Sequence, residues 1–251
     1  MSTKPGSGAK RRERRPDVLL SPLRYPGGKR RLAPYIANAL RDNDLRPRLY
    51  VEPFAGGASV AIQLLHDNLV DQVALGEKDP MVAGFWRAVF QEPERLIDKL
   101  YQLKPSLELW EHYRKTRPRT TMGWAVKCLF LNRTSFSGIL STTAGPIGGR
   151  SQQSAHTIGC RFPVERLAKR IRQIAAFADR VAFIHEGDWQ EVAAKVKTQG
   201  LGRDDVFYYL DPPFYEKADR LYRYFFAEDD HQRLHDGLGQ LDANYVLSYD
   251  A

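Results

Sequence analysis

The chain has 251 residues, with 38 Lys and Arg against 30 Asp and Glu for a formal charge of +8. Apolar residues make up 43% and charged residues 27%, a globular balance that excludes a wholly disordered or fibrous chain, and the length suits one large domain or one with an inserted lobe. No apolar run approaches the ~20 residues of a membrane span, no apolar segment marks a secretory signal, and Cys128 and Cys160 alone build neither a disulfide framework nor a fourfold metal cage. The expectation is a reduced, cytosolic protein with no membrane and no metal partner.

Residues 1–20 read as a disordered basic tail. Lys4, Lys10, Arg11, Arg12, Arg14 and Arg15 against Glu13 and Asp17 give it +4, half of the whole excess. It is either a solvated tail or an arm that docks on nucleic-acid phosphates. Leu32, Ile36, Ala39 and Leu40 then predict a helix after the Gly27-Gly28 turn. Arg48 to Val51 reads as a strand that runs into Glu52-Pro53-Phe54-Ala55-Gly56-Gly57. Val60, Ala61, Leu64 and Leu65 continue as a helix, and Val70 to Leu75 is a strand that closes on Glu77 and Asp79. A strand, a glycine loop, a helix, a strand and an acid form the signature of a nucleotide-binding α/β unit.

Residues 81–164 differ in character and read as a separate inserted lobe. Its early part is helical (Phe85, Trp86, Val89, Phe90, then Leu96, Ile97, Leu100), whereas Thr134 to Gly159 is rich in Gly, Ser, Thr and Gln without periodicity. Regular α/β order then resumes. Leu167, Ile171, Ile174 and Ala175 predict a helix, Val181 to Ile184 a strand leading to Asp188, and Val206 to Leu210 a strand closing on Asp211. A helix over His231 to Leu241 and a strand over Tyr245 to Ser248 complete the order. Residues 21–80 and 165–251 would together form the α/β domain. The chain stops at Ala251 directly after a strand, which leads us to expect either an absent C-terminal piece or a natural edge strand.

The segment Tyr208-Tyr209-Leu210-Asp211-Pro212-Pro213-Phe214-Tyr215 is the most informative. Ligand crevices of open α/β sheets lie at the carboxyl ends of strands, and the proline pair cannot continue a central ladder. The Asp211 carboxylate and the Pro212 carbonyl are then two acceptors for the hydrogens of an exocyclic amino group, and Phe214 offers a face for a base to stack on. Gly56 and Gly57 permit close backbone approach in an adenosyl-binding loop. Asp79, 22 residues beyond Gly57, has the spacing of an acid that receives ribose hydroxyls, with Glu77 as competitor. Asp188 suits the N-cap of the following helix, a role that can coexist with another. Gly27-Gly28-Lys29 is not a phosphate-binding P-loop, because Arg30 follows and Leu23 occupies the position of the earlier glycine. His231 and His235 lack a third ligand and read as a helix face.

Three segments in this order, Arg24-Tyr25-Pro26-Gly27-Gly28-Lys29, Val51-Glu52-Pro53-Phe54-Ala55-Gly56-Gly57 and Asp211-Pro212-Pro213-Phe214, resemble the DNA adenine methyltransferase family of Dam type, the D12 class of adenine-specific enzymes. The resemblance covers residues 21–250. It implies an α/β fold, a Rossmann-like S-adenosylmethionine-dependent methyltransferase sheet with an inserted, mostly helical target-recognition lobe. It further implies methyl transfer from S-adenosyl-L-methionine to the N6 amino group of an adenine flipped out of double-stranded DNA. By position, Asp211, Pro212, Pro213 and Phe214 would be catalytic. Tyr25, Gly27, Gly28, Lys29, Glu52, Pro53, Phe54, Gly56, Gly57, Asp79, Asp188 and Asp211 would hold the cofactor, Asp79 being favoured over Glu77. Phe214 stands where the family usually has Tyr and keeps the π-face. The segment Leu131 to Gly138 resembles the family's Asn-Arg segment, and Arg117, Arg119, Lys127, Asn132, Arg133, Ser135 and Arg150 would contact DNA. A monomer or weak dimer is expected, in the cytoplasm at the nucleoid of a prokaryote or of a phage-infected cell. The alternatives are methylation of cytosine N4 or of adenine in RNA, and a non-catalytic DNA-binding protein that retains the fold.

Overall fold

The computed structural model describes residues 21–25, 29–215 and 221–249. The expected basic tail over 1–20 and the turn at Gly27-Gly28 lie outside them. Five strands, β1 (Leu49–Glu52), β2 (Gln72–Glu77), β3 (Val181–Glu186), β4 (Val206–Leu210) and β5 (Asn244–Leu247), form one sheet in the order β3-β2-β1-β4-β5. Every pairing is parallel. Parallel strands must be crossed by covering elements on the sheet faces, so the central ones are apolar on both sides. β1 and β4 are buried at every residue, while the edge strands β3 and β5 are only partly covered.

The two-residue period of the strands sorts their side chains between the faces. Tyr50, Val73, Leu75, Phe207 and Tyr209 pack on one face; Leu49, Val51, Ala74, Val206, Tyr208 and Leu210 pack on the other. The first face is covered by α1 (Ala33–Asp42), α2 (Ser59–His66), α3 (Pro80–Gln91) and α7 (Val164–Ala175). The second carries α8 (Trp189–Lys197) and α9 (Glu228–Leu238), through Trp189, Val192, Val196 and Leu234. The result is the three-layer Rossmann-like α/β arrangement expected from the sequence.

Between α3 and α7 the chain forms α4 (Pro93–Tyr101), α5 (Leu107–Lys115) and α6 (Thr121–Thr134). The segment 81–164 shares its apolar core with the sheet: Trp86 of α3 and Ala125, Cys128 and Leu129 of α6 belong to the same cluster as Leu75 and Tyr50. A Cβ on Gly84 of α3 would lie 2.9 Å from Trp124 Cβ and 3.3 Å from the Thr121 carbonyl oxygen, so glycine there lets α3 and α6 approach closely. α6 is buried from Ala125 to Thr134 without a break, which is why it shows no amphipathic period and could not be read from the sequence as one helix.

β1 leads to β2 on one side and lies against β4 on the other. The strand order therefore reverses beside β1, and the crevice expected at such a switch point lies beyond the carboxyl ends of β1 and β4.

Candidate active site

Three acids converge on that edge because three parallel strands end there: Glu52 closes β1, Glu77 closes β2, and Asp211 follows β4. They line one cavity of about 870 Å³, counting its open mouth, within the range of small-molecule sites. Glu52 is 3% exposed and accepts the Ala61 backbone N–H at 2.7 Å and the Tyr50 hydroxyl at 3.1 Å. Burial raises its pKa to about 8, against the downward pull of those two donors. Burial likewise raises Glu77 to about 7, although the backbone N–H groups of Asp79 and Gly56, each at 3.0 Å, oppose it.

The loop from Pro53 to Ser59 forms the floor. Gly56 has φ +46°, and a Cβ there would lie 2.7 Å from Tyr25 Cε1, so a side chain would displace the Tyr25 ring as well as strain the backbone. The loop is fixed at both carbonyl and amide: Trp86 Nε1 donates to the Gly56 carbonyl at 2.9 Å, while the Gly56 N–H reaches Glu77 Oε2 at 3.0 Å. Ala58 is also left-handed, at φ 45°, and α2 begins there without a side-chain cap. Of its first amides, that of Ala61 is taken by Glu52.

Asp211 carries the densest polar contacts at the opposite wall. Its Oδ1 accepts from Lys29 Nζ at 2.6 Å and from the Ser248 hydroxyl at 2.5 Å. Ser248 lies just past β5, its backbone N–H on the Leu210 carbonyl and its hydroxyl 3.0 Å from that of Tyr209. Lys29 also stands 5.1 Å from the centre of the Phe214 ring. Phe214 meets Tyr222 edge-on at 5.8 Å, and Tyr222 meets Tyr25 at 5.8 Å, so a line of rings runs from the Asp211 wall to the glycine loop.

The cavity thus brings together Tyr25, Lys29, Glu52, Pro53, Phe54, Gly56, Gly57, Asp188, Asp211 and Pro213 of the residues singled out from the sequence. Pro212 is buried, and neither it nor the half-buried Phe214 is among the lining residues. Gly27 and Gly28 lie outside the described residues. Asp188 is the N-cap of α8, accepting the Gln190 N–H at 3.1 Å, and also lines the cavity.

Asp79 is the first departure. It does not line the cavity; it caps α3 by accepting the Met81 N–H at 2.9 Å and is paired with Arg223 at 2.7 Å. Burial raises its pKa, more than Arg223 lowers it. Its competitor Glu77 is the acid that faces the cavity, because it closes the strand itself. The second departure concerns the expected DNA contacts. Arg117, Arg119 and Arg150 are exposed, but Lys127, Asn132, Arg133 and Ser135 are buried and engaged. Lys127 donates to the Thr116 carbonyl, and Ser135 accepts Trp110 Nε1 at 3.0 Å. Asn132 accepts the Arg24 N–H at 2.7 Å and donates to the Arg24 and Gly138 carbonyls, each at 2.9 Å. Arg133 donates to the Arg161 carbonyl at 2.6 Å and the Pro22 carbonyl at 3.4 Å. These polar groups tie residues 21–25 to α6 and so set Tyr25 in place. A polar residue in an unrecognised buried helix reads as a surface one.

Sequence reasoning also missed Ser248 and the run Tyr222, Tyr224, Phe225, Phe226 along the cavity; the aromatic density of Tyr222–Phe226 was the available signal. Among the described residues no helix is long and apolar enough to cross a membrane, and no group of three or more His, Cys, Asp or Glu could hold a metal ion.

Over residues 25–251 the chain matches the family model of the D12 class N6 adenine-specific DNA methyltransferase, and it belongs to that family. A comparison with curated proteins finds no match.

Proposed function

From that membership and the site's geometry we propose that the chain transfers a methyl group from S-adenosyl-L-methionine to the N6 amino group of an adenine turned out of duplex DNA. The single observation that carries this reading is the Asp211 carboxylate, held on Oδ1 by Lys29 and Ser248 and opening on the same cavity as Gly56 and Gly57. Among the described residues no donor reaches Oδ2, so that oxygen can accept one N6 hydrogen while the Pro212 carbonyl accepts the other. The amino nitrogen's lone pair, otherwise delocalised into the ring, is then directed across the cavity, and positioning does most of the work. Phe214 supplies the face for the extruded base, since a base within the duplex cannot be reached. In this reading Asp211 also takes the proton that the nitrogen must lose.

The cavity's composition fits an adenosyl cofactor. The Tyr25 and Phe54 rings offer apolar walls, and Glu77, with its pKa near neutrality, replaces Asp79 as the acid we assign to the ribose hydroxyls. Asp188 is assigned to the cofactor's base and Lys29 to the countercharge at the mouth. Bound there, S-adenosyl-L-methionine would supply the electrophilic methyl group. We assign target recognition to the segment 81–164 with its exposed Arg117, Arg119 and Arg150, and the α/β chemistry to residues 21–80 and 165–251.

Incubation with S-adenosyl-L-methionine and either an adenine-containing or an adenine-free duplex, followed by mass spectrometry of the nucleosides, tests the reading. N6-methyladenine in the first duplex alone is expected. Incorporation into the adenine-free duplex, or none into either, overturns it.

A further inference from the structure

Most arginines that stand near an acid on this surface are paired with it: Arg87 with Glu186 at 3.0 Å, Arg150 with Glu111 at 2.8 Å and Arg172 with Glu94 at 2.6 Å. Among the arginines without an ion pair, one group stands together around Arg133. Arg161, Arg166 and Arg170, at and within the start of α7, form no ion pair within 4.0 Å among the described residues, nor do Arg24 and Arg133. Arg166 and Arg170 are four residues apart and share a helix face. Arg172 turns to another face, toward Glu94 of α4, and Glu165 is occupied by the Tyr101 hydroxyl at 2.7 Å. Neither acid is therefore available to the group.

The group has a built base. Arg133 lies beneath it, 7% exposed, with its guanidinium on the Arg161 and Pro22 carbonyls. Burial, then its neighbours Arg24, Arg170, Arg161 and Arg166, push its pKa down to about 10. Among the described residues, one terminal nitrogen of Arg24 is buried with no hydrogen-bond partner, an unusual state for a donor in a folded protein. Arg24 is also the chain neighbour of Tyr25, which lines the cavity, and its backbone is clamped by Asn132 on both sides. A concentration of positive charge therefore reaches, through Arg24, the residue next to one wall of the candidate active site.

We propose that Arg161, Arg166 and Arg170, set over Arg133 and beside Arg24, form a phosphate-gripping patch that holds the backbone of the duplex whose adenine enters the cavity. The proposal rests on the DNA reading above and extends the surface assigned to the 81–164 segment, from Arg133 and Arg161, into α7 through Arg166 and Arg170. Phosphate is the fitting partner because guanidinium forks match its oxygens two at a time, and because an anion supplies the countercharge missing from the group. A repeating backbone, unlike a single free phosphate, can engage residues 161, 166 and 170 together. Such contacts fix register and orientation and carry no sequence information.

The test is duplex binding by fluorescence anisotropy across a salt series, with the full chain and the double variant Arg166→Gln, Arg170→Gln. Each guanidinium withdrawn from a phosphate should make the slope of log K against log salt shallower by about 1, so the double variant's slope should fall by ~1 to 2. Its affinity for S-adenosyl-L-methionine, measured calorimetrically, should match the parent's, and Arg166→Lys with Arg170→Lys should retain most of the slope. A double variant with the parent's slope overturns the patch while leaving the DNA reading intact. So does a fall in slope that the lysine pair shares with the glutamine pair. A parent chain that binds cofactor but no duplex at any salt overturns the DNA reading itself, and the patch with it.

Discussion

Glu52 offers the sharpest quantitative check on the site. Its carboxyl is buried, its ordinary value of 4.5 is raised to about 8, and it accepts hydrogen bonds from Tyr50 and Ala61 through one oxygen. The folded chain therefore holds a proton that the unfolded chain has already shed. Stability should fall as pH rises from about 4.5 and level off above about 8. At ~1.4 kcal/mol for each unit of pKa, ionised Glu52 costs on the order of 5 kcal/mol at the upper plateau and ~3.5 kcal/mol at pH 7. Glu52→Gln keeps an oxygen for Tyr50 and Ala61 and cannot ionise. Urea denaturation of both proteins at unit steps from pH 5 to 9 gives the readout. The two should be nearly equal at pH 5, and the variant should gain ~1.4 kcal/mol on the parent with each unit up to about pH 8. Glu77 titrates in both proteins and drops out of the difference. A difference that does not change with pH would falsify the buried, protonated state assigned to Glu52.

Three further outcomes follow from the geometry. Asp211→Ala should lower methyl transfer by ~10² or more while leaving the melting temperature within a few degrees; a variant that simply unfolds makes the acid structural. Gly56→Ala forces a side chain to φ +46° and into the Tyr25 ring, at a cost of about 1 to 3 kcal/mol, and should weaken cofactor binding in calorimetric titration; unchanged stability and affinity would remove Tyr25 from the cavity wall. Glu77→Gln should weaken cofactor affinity, whereas Asp79→Asn should mainly cost stability, on the order of 1 kcal/mol for a perturbed helix cap. The reverse pattern would return the ribose to Asp79.

The sheet was legible because its strands are short apolar runs closed by acids and glycines, and β1, β2 and β4 lie within three residues of their expected limits. The edge that carries the cavity was legible for the same reason: parallel strands deliver whatever follows them to one rim. Residues 120–135 were not. In α6 the side chains are buried all round, so Asn132 and Arg133 carry no periodic cue that they point inward, and their polarity suggested the opposite. Asp79 was misplaced by two residues of strand end, a shift that turns a lining acid into a helix cap. Ser248 could not be found at all, since a serine 37 residues beyond Asp211 becomes its partner only when β5 pairs with β4.

α3 ties these levels together. Its first turn is capped by Asp79, its Trp86 holds the glycine loop, and its outer side is filled by α6. A graft that swapped α4 to α6 for those of a relative would have to reproduce the Gly84 and Trp124 contact, or tilt the glycine loop that floors the cavity. The segment 81–164 is thus not a detachable cassette: any change in it must be selected together with the beam that carries the loop.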